Sequence, residues 1–149
     1  LVYAGGIRNG ADVAKALALG ADAVAIGTAA MIALNCNKDI PEADYEGTVG
    51  VSAGSCYHCH TGLCPVGVAT QEPELRKRLN PDEAATRVYN FLHTLTLECQ
   101  MFARACGKTD VHSLEPEDLA ALTMEASAMA EVPLAGTRFT VGHPEMNRY

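Results

Sequence analysis

At 149 residues and 48% hydrophobic content, the chain is long enough for one domain with a real core and too apolar for a disordered segment. A formal net charge of −7 without long Lys/Arg runs argues against a phosphate-backbone binding face, so no nucleic-acid partner is expected. Gly, Asp, Asn or Lys interrupts every apolar run before membrane-spanning length, and no secretory pattern is visible, so the expectation is a cytoplasmic protein with no membrane partner.

The chain opens on Leu1 in strand-like sequence and reads as part of a longer protein. Val2–Ala4 is a short apolar run ending in Gly5-Gly6. ADVAKALAL then reads as a helix that stops at Gly20. Ala23 to Gly27 is a second apolar strand, and Thr28 to Leu34 starts a second helix. Strand, helix, strand, helix with short apolar strands predicts parallel pairing. Both strands end in glycine at the turn into a helix. Glycine lets backbone approach a ligand closely, and helix-start N–H groups attract anions. Two such turns after consecutive parallel strands match the phosphate site found after strands 7 and 8 of many TIM barrels. The candidate phosphate residues are Gly5, Gly6, Gly27 and Thr28; on one turn alone, simple tight-turn chemistry would be the better reading.

Residues 37–55 have no clear period and read as a surface loop. Beyond Gln71 the composition changes. Asn80-Pro81-Asp82-Glu83 is a helix start, with Asn as N-cap and Pro at the first position. Val88, Leu92, Leu95, Cys99, Phe102 and Cys106 then recur at spacings of 4, 3, 4, 3 and 4, one apolar seam closed by Gly107. Core packing is therefore the expectation for Cys99 and Cys106, and a surface or boundary position for His93. Pro116 opens a further predicted helix with Leu119, Leu122, Ala126 and Met129 on one face, making a helical hairpin. Residues 133–149, with His143, read as an extended tail.

Between these parts lies GSCYHCHTGLCPVGVATQ, with Cys56, Cys59 and Cys64 among His58 and His60. Without secretory context, such crowding points to metal or redox chemistry rather than disulfides. Cys56-x-x-Cys59-His60 matches the c-type haem attachment pattern, but its surroundings look like the end of a barrel. Zinc usually takes two Cys/His pairs; here one CxxC is followed by a single Cys64, and a site closed by a histidine stays open as an alternative. Iron–sulfur fits best, since thiolates are its usual ligands and a Cys-Pro step often ends a cluster-binding run. Cys36, at the end of the helix that starts at the phosphate turn, is the natural extra ligand. His58 and His60 are candidate hydrogen-bond donors to cluster sulfurs, or simply polar loop residues.

GGIRNGADVAKALALGADAVAIGTAAMIAL, then Cys36, then CHTGLCPVGVATQEPELRKRL, resembles the C-terminal part of the FMN-binding synthase domain of glutamate synthase. It looks most like the stand-alone relatives that include the N-methylglutamate synthase subunit. The resemblance runs from about Leu1 to Gly136, and its specific block is CPVGVATQ. It implies an FMN-binding TIM barrel and a [3Fe-4S] cluster on Cys36, Cys59 and Cys64, with Gly5, Gly6, Gly27 and Thr28 in the FMN phosphate loops. It implies reductive amination of 2-oxoglutarate to glutamate, or formation of N-methylglutamate. Nitrogen would come from a glutamine amidotransferase-like subunit or domain, and electrons from ferredoxin or an NAD(P)H-dependent subunit. Two departures stand out: a segment is inserted between Cys36 and Cys59, and Cys56 is an added thiol that would suit a [4Fe-4S] cluster.

The expected fold is α/β, the end of a TIM (β/α)8 barrel (strands 7 and 8) with a cysteine-rich loop and a C-terminal helical hairpin. The expected organisation is residues 1–35 as the last βαβα portion, 36–71 as the cluster segment, 72–136 as C-terminal helices and 137–149 as tail. No general acid or base can be named, and two strands cannot close a barrel of eight, so the fragment alone is expected to be inactive. The alternatives are a non-catalytic electron-transfer or metal-binding module, and another FMN or phosphate-binding TIM barrel, such as the IMP dehydrogenase type, with structural cysteines.

Overall fold

The computed structural model describes residues 1–36, 40 and 56–142. They form two compact units, Leu1–Ile26 with His93–Tyr149, and Gly27–Leu92. The loop expected over residues 37–55, Ile40 apart, and His143 lie outside the described residues.

In the first unit, β1 (Val2–Ala4), α1 (Gly10–Ala18) and β2 (Ala23–Ala25) follow in the expected order, β2 being shorter than its apolar run. The strands pair in parallel, Val2 opposite Ala23 and Ala4 opposite Ala25. Helix α1 begins where Asn9, in extended backbone, accepts the Asp12 N–H on Oδ1 at 3.0 Å. It ends in a Schellman turn: Gly20, at φ +96°, donates to Leu17 O, and Ala21 donates to Ala16 O. One face of α1 (Val13, Ala14, Ala16, Leu17, Ala18) is buried. The strands are barely covered: Val2 is 62% and Tyr3 48% exposed. Parallel strands normally have both faces covered, so this pair presents surface that a larger sheet would bury.

The long helix α4 (Pro81–Ala105; α2 and α3 follow below) runs through both units. Asn80 Oδ1 faces the N–H groups of Asp82 and Glu83 at 3.2 and 3.4 Å, the N-cap expected from the sequence. Its seam is narrower than the sequence suggests. Leu95 and Cys99 are buried, as are Ala84 and Ala103, whereas Leu92, Phe102 and Cys106 are exposed. The small residues carry the contact because the neighbouring backbone is very close. A Cβ built on Gly10 would stand 2.3 Å from Glu98 Cβ, 2.5 Å from Cys99 N and 2.6 Å from Leu95 O. Helix α1 thus meets α4 at a distance only glycine permits.

The expected helical hairpin is replaced by shorter elements. Pro116–Asp118 is a single 3₁₀ turn, closed by Asp118 accepting the Glu115 N–H at 3.0 Å. The chain is extended at Leu119, and Thr123 caps a new helix, α5 (Met124–Ala130). The turn-forming side chains at 115, 118 and 123 outweigh the apolar period. Leu122 and Met129 are each 87% exposed, and buried Ser127 takes the inward position. Ser127 Oγ donates to Val132 O at 2.7 Å and accepts from the Val141 N–H at 3.2 Å. Ala121 bridges to Leu134, and Thr140 is buried, so residues 133–142 are folded back rather than extended as a tail.

The second unit holds α2 (Thr28–Ala33), a 3₁₀ turn over His58–His60, α3 (Pro73–Arg76) and the start of α4. Its core contains Cys64, Val66 and Leu75.

Gly10→Ala forces backbone apart and should cost at least about 1–3 kcal/mol of stability in denaturant unfolding. Asp12 gives a pH signature. Its carboxyl is held below the ordinary 3.8, first by the hydrogen bond from Lys15 and, against burial, by the Arg8 N–H and charge. A depressed folded pKa adds stability that is present above 3.8 and fades as pH falls through the folded value. The stability gap between wild type and Asp12→Asn should therefore be full at neutral pH and close below that range.

Candidate functional site

The first set of predicted site residues sits at strand ends. Gly5 and Gly6 follow β1 with φ of +113° and +70°, and a Cβ on either would meet nothing within 4 Å. The turn is left-handed backbone that faces open space. Beside it is a cavity of about 230 Å³ lined by Tyr3, Gly5, Gly6, Ile7, Asp12, Lys15, Ala16 and Leu19. The sequence expectation also enlisted helix-start N–H groups as anion donors. At α1 they are committed elsewhere: Arg8 N–H to Asp12 Oδ2 at 3.0 Å, Gly10 N–H to Glu98 Oε2 at 2.8 Å, and Asp12 N–H to Asn9. Two carboxylates occupy that end of the helix, so the open polar backbone is that of the glycine turn. Gly27, in the second unit, precedes α2 with no side-chain cap, also with nothing within 4 Å of a Cβ; Thr28 is the first residue of α2.

The second set is the thiols, all within the second unit. Asn35, at φ +73°, ends the turn after α2, and Cys36 N–H donates to Met31 O at 3.0 Å. Cys36 and Cys56 are half-buried, Cys59 is exposed and Cys64 is buried; none forms a disulfide. Cys56 packs against the cluster formed by Cys64 and Val66. Burial pushes the Cys36 thiol up, and the neighbouring Cys64, Cys59 and Cys56 add to this in that order. Cys64, Cys59 and Cys56, from 20 or more residues further along the chain, therefore lie near enough to Cys36 to disfavour its ionisation. Thiolates in such a group need a cationic centre.

Among the described residues, no group of three or more His, Cys, Asp or Glu side chains stands close enough to hold one metal ion. Zinc needs its ligands at about 2.0–2.3 Å from a single point. An iron–sulfur cluster spreads its cysteines over several irons. The donor set, all thiol, fits the cluster in kind. His58 adds to this: its Nδ1 is buried and has no hydrogen-bond partner among the described residues.

The loop carrying Cys64 is fixed by residues that the sequence reading passed over. Arg78 donates from a guanidinium nitrogen to Pro65 O at 2.9 Å. Buried Thr70 donates to Gly62 O and accepts the Glu72 N–H at 3.0 Å. Gly67, at φ +84°, donates to Cys64 O at 3.2 Å, and a Cβ there would meet Leu75 O at 2.5 Å. Gly67 thus permits both the turn and its close approach to the end of α3. The Thr70–Glu72 bond is local, whereas the Arg78 contact spans 13 residues.

A parallel strand–helix–strand unit with glycine turns, followed along the chain by a cysteine-rich loop, defines an α/β protein. The chain belongs to the glutamate synthase family: the family described as "Conserved region in glutamate synthase" matches residues 1–41 and 42–109. It is 59% identical over 142 residues to the glutamate synthase large subunit-like protein of Rhizobium meliloti (strain 1021), covering 95% of this chain and 32% of that protein. It is 46% identical over 114 residues to the archaeal glutamate synthase [NADPH] of Methanocaldococcus jannaschii, covering 76% of this chain and 19% of that protein. It is 46% identical over 74 residues to the ferredoxin-dependent glutamate synthase of Cyanidium caldarium, covering 50% of this chain and 4% of that protein. The chain thus spans about a third or less of the length of these relatives. No solved structure matches it. Among the described residues, no helix is long and apolar enough to cross a membrane.

Removing the Arg78 guanidinium leaves Pro65 O without this charged donor, so Arg78→Ala should cost about 1.5–3 kcal/mol in thermal or denaturant unfolding. Gly67→Ala should be at least as damaging, and both should release Cys64 to thiol-reactive probes faster than in wild type.

Proposed function

We propose that this chain is the cofactor-holding end of a glutamate synthase-type oxidoreductase that forms glutamate by reductive amination of 2-oxoglutarate. In this reading β1 and β2 are strands 7 and 8 of a TIM barrel, and the exposed strand faces are covered by the rest of the barrel. Gly5, Gly6, Gly27 and Thr28 offer backbone N–H groups, and the Thr28 hydroxyl, to the FMN phosphate. Cys36, Cys59 and Cys64 hold a [3Fe-4S] cluster, and Cys56 is the spare thiol that a [4Fe-4S] cluster would recruit. The observation that carries the reading is the gathering of four thiols in one unit of a chain that belongs to this family.

FMN, when bound, supplies hydride transfer, and the cluster supplies one-electron relay. The chain's own residues have simpler tasks. The glycine turns accept a dianion against backbone at close range. Arg78, Thr70 and Gly67 hold the Cys64 loop in place. The His58 ring nitrogen is a donor available to a cluster sulfur. Burial of Cys64 shields one ligand from water, while exposed Cys59 marks the side open to an electron donor. Ferredoxin or an NAD(P)H-dependent subunit is the proposed donor, and a glutamine amidotransferase-like subunit or domain the nitrogen source. With two strands, these residues alone do not form a barrel and should not turn over.

The test is FMN, iron and acid-labile sulfide content with EPR, on the complete protein purified without oxygen. FMN and a stoichiometric cluster are expected, with a three-iron signal as isolated. Cys36→Ser, Cys59→Ser and Cys64→Ser should each lose iron and sulfide, while Cys56→Ser keeps the three-iron signal. Loss of the cluster in Cys56→Ser with retention in Cys36→Ser would overturn the ligand set, and protein free of flavin and sulfide would overturn the function. Offering 2-oxoglutarate with glutamine against methylamine donors separates glutamate from N-methylglutamate as product.

A further inference from the structure

Five residues, 5–9, join β1 to α1, and they begin with the two glycines. Gly5 and Gly6 have no atom near the position of a Cβ, and both are at positive φ. Restraint begins at Ile7, which is buried, and continues through Arg8 N–H on Asp12 and Asn9 as helix cap. It ends at buried Gly10, whose N–H donates to Glu98 Oε2 at 2.8 Å. Glu98 is the only member of this set that comes from far along the chain, 88 residues away. Its reach exists because Gly10 lacks a Cβ and lies against the α4 backbone.

We propose that Glu98 is a positioning residue for the Gly5–Gly6 turn. By holding the first N–H of α1, its carboxylate sets where the chain must arrive after the turn, and so the path of the two unrestrained glycines. This inference rests on the reading of Gly5 and Gly6 as part of the flavin phosphate site, and it assigns a task in that site to the helix that follows the cysteine segment.

The test is FMN affinity of the complete protein, stripped of flavin and titrated by fluorescence quenching, beside thermal unfolding of the flavin-free form. Glu98→Ala should weaken FMN about tenfold, the effect of losing one charge-assisted hydrogen bond. Glu98→Gln keeps an acceptor oxygen and should stay within about threefold of wild type. Leu95→Ala, on the same helix, should lower the melting temperature yet leave affinity unchanged, because its backbone is intact. Should Glu98→Ala fail to fold, Glu98→Met, of matching length and without an acceptor, takes its place against Glu98→Gln. Wild-type affinity in Glu98→Ala, equal weakening in Glu98→Gln, or affinity that merely tracks melting temperature across all variants would each overturn the proposal. A wild-type protein that binds no FMN would overturn the flavin reading itself, and this inference with it.

Discussion

The contact of Gly10 with helix α4 is the constraint on which the first unit depends. Two helices normally keep their axes about 8–10 Å apart because side chains stand between them. Here a backbone without a side chain lies against Leu95, Glu98 and Cys99. Leu95 and Cys99 are accordingly buried, while Phe102, on the same helix, is exposed. The contact also fixes where α1 begins, with five residues between it and the end of β1.

The second unit solves a different problem. A loop with Cys64 at its centre must be rigid without regular secondary structure. It does this by satisfying its backbone from side chains: Arg78 on Pro65, Thr70 on Gly62 and on Glu72. Such a loop keeps thiols in place whether or not they are ionised. Proximity then works against the thiolate, since Cys36 is disfavoured both by burial and by its neighbours.

What could be read in the sequence was local. The strand–helix–strand order, the Asn9 and Asn80 caps and the stop at Gly20 each depend on a few neighbouring residues, and each is seen in the structure. What failed was periodicity near the C-terminus. Leu119, Leu122, Ala126 and Met129 have helical spacing, but Asp118 and Thr123 close and reopen the backbone between them. The contacts of Glu98 and Arg78 were invisible because the partners are backbone groups, which carry no sequence signature, at separations of 88 and 13 residues.

The junction between Gly10 and Glu98 has a further meaning in polymer terms. It closes a ring of chain that contains every cysteine of the thiol group. Closing a ring of this size costs roughly 4 kcal/mol of chain entropy, but doubling it adds only about 0.6 kcal/mol. Once the ring is pinned, its contents can lengthen almost freely. Added residues between Cys36 and Cys59 would therefore change the chain entropy of the Gly10–Glu98 junction only slightly.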